Sequence, residues 1–170
     1  DRRAVGGGRA SREVELERQI DDLTVSGRAD LLLGQAPGVL DIKWGSASRH
    51  RTALTSGTAF QLAVYGRLVG TDEGVAPSAY YVVTTRTLLT TSATSLARGT
   101  LDGPTPRDTW AAFRQALDAR RAELRDGVAH SCARAAGEAM PTSAIEDGRL
   151  RLEPGCRFCQ HLHLCGGRRD

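Results

Sequence analysis

Lysine is nearly missing from this sequence: all but one of its 23 Lys and Arg residues are Arg, and the exception is Lys43. Long apolar runs are missing too. None approaches the ~20 residues that a membrane-spanning helix needs, so no membrane is expected as a partner. The opening stretch DRRAVGGGRASRE is polar and Gly-rich, unlike a secretory signal. No initiator Met precedes Asp1, and a fragment of a longer polypeptide is expected. Internal repeats are absent, which excludes solenoid and propeller architectures. Net charge is only +3, too small to point by itself to a polyanionic partner. Cysteine is confined to Cys132, Cys156, Cys159 and Cys165, three of them within ten residues. Without a secretory signal, that cluster suggests metal more than disulfides, and a cytoplasmic setting.

What is present suits one folded domain. The 170 residues are 40% hydrophobic and 25% charged, enough for a real core. We expect a flexible lead-in over residues 1–12, a core over 13–130 and a C-terminal extension over 131–170. From Glu13 to Val25, apolar Val14, Leu16 and Ile20 alternate with acids, as in a strand with one charged face. Leu23 and Val25 leave that phase, which predicts a break near Asp21-Asp22. Ser26-Gly27 reads as a hairpin turn into a second strand, Arg28–Leu33. GQAPG at 34–38 turns into a third, buried strand, Val39–Trp44. GSASRHRTALTSG reads as a polar basic loop, and Thr58–Leu68 as a helix with Phe60, Val64 and Leu68 four apart. Ser78–Thr85 is a strand by its β-branched and aromatic content, and Leu88–Thr91 continues or pairs with it. Thr105-Pro106 starts a long helix with Asp108 near its positive end. Its expected buried stripe is Trp110, Phe113, Leu117 and Leu124, with Gly127 as C-cap. A short strand is expected near Arg149–Leu152. The order predicts an α/β fold: a central mixed sheet flanked by helices, with a Cys-rich tail.

Three charged residues stand among apolar strand neighbours. Asp30 lies between Ala29 and Leu31, and Asp41 and Lys43 alternate with Leu40, Ile42 and Trp44. Residues two apart in a strand share a face, so Asp41 and Lys43 project together. The short 34–38 connection lets Asp30 reach the same spot. Buried charges must be paired or bind metal. Two converging carboxylates suit Mg²⁺ with water and phosphate oxygens, and an amine beside them can orient a water or stabilise phosphate charge. The same residues would also suit a plain Asp41–Lys43 pair on an exposed face.

GRAD (27–30), LDIKWG (40–45) and QLAVY (61–65) resemble, in order and spacing, the motifs of the PD-(D/E)xK nuclease superfamily, closest to its RecB-like branch. That branch includes the nuclease domains of RecB and AddB and the CRISPR-associated exonucleases. The likeness covers roughly residues 13–85 and the Cys tail. It implies a restriction-endonuclease-like core. Asp30 and Asp41 would hold Mg²⁺ or Mn²⁺, with Lys43 as catalytic amine and Gln61 and Tyr65 shaping the site. The branch carries a further acid or His on a helix ahead of the first hairpin. Missing upstream sequence, or one of Glu13, Glu15 and Glu17, would have to supply it. Arg49, His50 and Arg51 either contact DNA phosphates or are simply solvated.

Cys156-x₂-Cys159-x₅-Cys165 resembles the spacing with which members of the branch bind a 4Fe–4S cluster. Cys132 is the available fourth ligand. Zn²⁺ with His161 or His163 is the alternative, as are free thiols. The expected function is therefore a Mg²⁺- or Mn²⁺-dependent deoxyribonuclease, an exonuclease, within a larger DNA repair or recombination protein. Its expected partners are single-stranded DNA or a free DNA end, and a helicase subunit or domain. The other reading is an inactive nuclease fold that binds DNA or acts as a scaffold.

Overall fold

The computed structural model describes residues 10–34, 38–71, 74–93, 99–128, 145–146 and 149–150. The chain divides into two compact units, Asp1–Ala111 and Ala112–Asp170. In the first, β1 (Ser11–Ile20), β2 (Leu23–Leu33), β3 (Gly38–Lys43), β4 (Ser78–Val82) and β5 (Thr87–Leu89) form one sheet in that order. β3 and β4 are parallel, and the other neighbours are antiparallel. A parallel pair needs a long crossover. Here it contains α1 (Ala47–Thr55) and α2 (Phe60–Val69).

The first hairpin turns at Asp21-Asp22, not at Ser26-Gly27. Ile20 pairs with Leu23, while Ser26 and Gly27 lie inside β2 opposite Glu17 and Leu16. Asp21 takes φ +54, a region that Asp tolerates better than most residues. Gln19 braces the turn by donating to Asp21 O at 2.9 Å and accepting from Thr24 Oγ1 at 2.8 Å. The loss of phase at Leu23 thus marked the turn itself. Ser26-Gly27 was overruled by pairing on both sides.

The basic stretch after β3 is helical rather than loop. Ser46 caps α1, its Oγ accepting from Ser48 N at 3.3 Å. The helix buries one residue fully, Leu54, so its sequence carries almost no apolar period. α2 instead buries Leu62, Ala63, Gly66 and Leu68.

One core cluster joins Leu54, Ala59 and Leu62 to Tyr80, Val82 and Leu89. A second joins Ala29, Leu32 and Val39, with Val14, Leu16, Tyr65 and Val69 packed on it. Both place α2 against the sheet face that also carries Asp41, between Leu40 and Ile42, which alternate to the other side.

α3 spans Pro106–Arg125. At its start Asp108 Oδ2 accepts from Thr105 N at 2.9 Å and from Thr105 Oγ1 at 2.6 Å, while Asp108 N donates back to Thr105 Oγ1 at 3.2 Å. This is a capping box with Asp in the usual Glu place. At its end Gly127 takes φ +77. Gly127 N donates to Leu124 O at 3.1 Å and Val128 N to Glu123 O at 2.8 Å, a Schellman cap. Leu124 is exposed and Ala116 is buried, so the expected stripe is wrong at its C-terminal end. In the second unit β6 (Ile145–Glu146) and β7 (Arg149–Leu150) pair antiparallel. No helix among the described residues is long and apolar enough to cross a membrane.

Candidate active site

Asp30 and Asp41 stand opposite each other where the β2–β3 ladder ends. The paired residues run Leu33–Gly38, Leu32–Val39 and Leu31–Leu40; the next step in that register joins Asp30 to Asp41. There the backbone pairing stops. Ile42 N donates to Asp30 Oδ2 at 2.7 Å instead of to a β2 carbonyl. On its other side β2 also loses pairing at Asp30. Arg12–Leu31 and Val14–Ala29 are paired, but Glu13–Asp30 is not, and Glu13 takes φ +51. The inward phase of both strands shifts across this point, from Val14, Leu16 and Ala29 to Ser11 and Leu32. That shift turns Asp30 toward β3.

Asp41 is buried, only 3% exposed. Lys43 Nζ lies 2.7 Å from its Oδ2, yet that oxygen is sealed from solvent and makes no aligned hydrogen bond. Burial pushes the Asp41 carboxyl above its usual range. Lys43 opposes the shift, and the neighbouring Asp30 adds to it through charge and a shared hydrogen bond. A divalent cation would ease this conflict, because it would neutralise both carboxylates and share the sealed oxygen with Lys43. Among the described residues no third His, Cys, Asp or Glu joins the pair. A hard cation that keeps waters and takes substrate oxygens therefore fits this donor set better than one needing an all-protein cage.

Lys43 is held on its far side by α2. Its Nζ donates to Gln61 Oε1 at 3.1 Å, and Gln61 Nε2 donates to Tyr65 Oη at 3.2 Å. The four-residue helical spacing produces this relay. Asp41, Lys43, Gln61 and Tyr65 thus form one polar chain, with Asp30 at its end.

Tyr80 was not singled out by sequence. It pairs with Asp41 across β3–β4, and Lys43 Nζ lies 5.7 Å from its ring centroid. Burial first, and Asp41 second, push its hydroxyl up to about 12. The signal for it was the parallel register, which no local pattern reveals. His50 packs on the same ring at 5.1 Å between centroids. Its pKa is lowered by desolvation first, then by Lys43 and Arg49. Arg49 and Arg51 are exposed on α1. Adjacent helical positions lie about 100° apart, so the three side chains leave α1 in different directions. Glu15 and Glu17 are exposed on β1, whereas Glu13 lines a groove with Asp30. Cys132, Cys156, Cys159, Cys165, His161 and His163 lie outside the described residues.

Residues 1–166 match the family model of the PD-(D/E)XK nuclease superfamily. No curated protein and no solved structure matches the chain.

Proposed function

The chain belongs to the PD-(D/E)XK nuclease superfamily, and on that premise we propose that it is a Mg²⁺- or Mn²⁺-dependent deoxyribonuclease of the RecB-like branch. It acts as an exonuclease on single-stranded DNA or a free end, as the nuclease domain of a cytoplasmic repair or recombination protein that works with a helicase. The observation that carries the reading is the convergence of Asp30, Asp41 and Lys43 at the end of the β2–β3 ladder.

Asp30 and Asp41 hold the cation. When bound between Asp30 and Asp41, such an ion would supply Lewis-acid polarisation of the scissile phosphate and a more acidic water. Lys43, between Asp41 and Gln61, orients that water and stabilises charge developing on the phosphate oxygens. The water gives up one proton to solvent as its oxygen bonds to phosphorus, the bond to the leaving sugar oxygen breaks, and that oxygen takes up a proton from solvent. Gln61 fixes the Lys43 amine, and Tyr65 fixes Gln61. Arg49, His50 and Arg51 contact the DNA from α1, with His50 acting as a neutral donor. Cys156, Cys159 and Cys165, with Cys132, would hold an iron–sulfur cluster or zinc, whose binding would contribute folding energy.

The test is cleavage of labelled single- and double-stranded DNA by the full chain with Mg²⁺, beside Asp41→Ala and Lys43→Ala. Each variant should lose two orders of magnitude or more in kcat, in line with the ~10²–10⁴ that a positioned acid–base group contributes. Equal cleavage by all three proteins would remove the assignment. A wild type that binds DNA and never cuts it would leave the scaffold reading.

A further inference from the structure

The other face of β3 carries a second set of residues that the hydrolytic reading does not use. Ile42 and Trp44 alternate with Asp41 and Lys43, and Tyr81 is the β4 partner of Ile42. All three are exposed large hydrophobics, and Trp44 is 76% exposed. A bare Trp is uncommon, because burying its ring is worth several kcal/mol of transfer and packing energy. Its mount is nevertheless firm. Val83 N donates to Lys43 O at 3.0 Å just before it, and Thr84 Oγ1 donates to Gly45 O at 2.5 Å just after it. The ring is presented on an anchored backbone rather than on a loose loop.

Ile42 and Trp44 wall a groove of about 420 Å³, whose other lining residues are Arg12, Glu13, Asp30 and Leu31. That volume is within the ~300–1,000 Å³ of small-ligand sites. Asp30 joins the groove to the candidate active site, because the same carboxylate accepts from Ile42 N and faces Asp41. The groove therefore opens where the sheet splits, with Ile42 next in sequence to Asp41. Its chemistry is mixed in a particular way: an aromatic face, an aliphatic floor, a guanidinium from Arg12, and Glu13 neutralised by Arg28 at 3.0 Å. A base has a π-face that stacks on Trp, and its phosphate pairs with Arg. A paired base inside a duplex offers no free face.

We propose that the Trp44–Ile42 groove is a stacking site for one unpaired DNA base next to the scissile phosphate, with Arg12 contacting that nucleotide's phosphate. The choice of DNA rests on the deoxyribonuclease reading, but the stacking does not need cleavage. Trp44 selects single-stranded substrate because only an unstacked base enters the groove.

The experiment uses the full chain carrying Trp110→Phe, so that Trp44 is the sole tryptophan, in EDTA to prevent cutting. Titration with a short oligothymidylate should quench Trp44 fluorescence saturably, and a blunt duplex of equal length should bind at least tenfold more weakly. Trp44→Ala should raise the oligothymidylate Kd by about 5- to 100-fold, the contribution of one stacked base. Trp44→Phe should restore most of that loss. With Mg²⁺, Trp44→Ala should raise KM and leave kcat within a few-fold. The melting temperature of Trp44→Ala should stay near that of the wild type. Unchanged oligonucleotide affinity in Trp44→Ala overturns the proposal. So does a large drop in its melting temperature, which would mean that protein covers the ring. Quenching without any cleavage by the wild type would sink the nuclease reading and leave the stacking site standing.

Discussion

Gly27 lies directly beneath the ring of Tyr65. A Cβ added at Gly27 would stand 2.8 Å from Tyr65 Cε1, closer than carbon atoms approach. The glycine of the first motif thereby holds the tyrosine of the third against the sheet, and Tyr65 carries Gln61 and Lys43 in turn.

Gly27→Ala should push the Tyr65 ring outward and loosen the Lys43 amine. We expect a stability loss of about 1–3 kcal/mol, the usual cost of overpacking, with a fall in kcat larger than the loss of fold explains. Tyr65→Phe keeps the ring and removes only the hydroxyl that accepts from Gln61. It should melt like the wild type and cut more slowly, which separates the two effects in paired melting and cleavage assays.

Asp41→Asn should stabilise the protein in chelator. The folded carboxyl binds its proton more tightly than the unfolded one, whose pKa is 3.8. Its contribution is therefore most favourable at acid pH and is lost as pH rises through the folded value. At neutral pH the neutral amide should melt higher, by roughly 2–4 °C per kcal/mol recovered. Saturating Mg²⁺ or Mn²⁺ should raise the wild-type melting temperature and leave the variant unmoved. A variant stabilised by metal as much as the wild type would contradict the assignment of Asp41 as a ligand.

Thr105→Ala should cost about 0.5–2 kcal/mol by removing the cap of α3. The Thr105 hydroxyl and amide hold the Asp108 carboxyl below its ordinary 3.8. That stability is present above pH 3.8 and disappears as pH falls through the lower folded value. Urea unfolding at neutral and at strongly acid pH should show the wild-type advantage shrinking in acid. An advantage equal at both pH values would rule out the Thr105–Asp108 linkage.

Leu62→Ala should cost about 2–5 kcal/mol, because Leu62 is 1% exposed between both helices and β4. Its neighbour Gln61 is exposed, so Gln61→Ala should leave the urea midpoint nearly unchanged and reduce cleavage. The pair tests whether α2 serves packing on one face and the site on the other.

Much of this was legible before the fold was known. The i, i+2 rule placed Asp41 and Lys43 on one face, and the i, i+4 rule placed Gln61 beside Tyr65, because those relations are local to one element. The apolar flanks of Asp30 and Asp41 announced that both would be partly or wholly buried. Element ends signalled by capping chemistry, at Thr105 and Gly127, also held. The failures are equally physical. Ser26-Gly27 has turn propensity, but eleven residues of β2 paired on either side outweigh it. α1 has no apolar stripe, so only its Ser46 cap marked it. Leu124 kept the helical period but lies where α3 is exposed.

The amino-acid sequence alone determined which residues could do this chemistry and which local faces they share, since helix and strand periods are properties of the backbone. Tertiary structure alone decided that Tyr80 backs Lys43 and that Gly27 seats Tyr65. Those relations come from strand register and the crossover between β3 and β4. Burial energy summed over many residues selects a register, and no short stretch of sequence contains that sum.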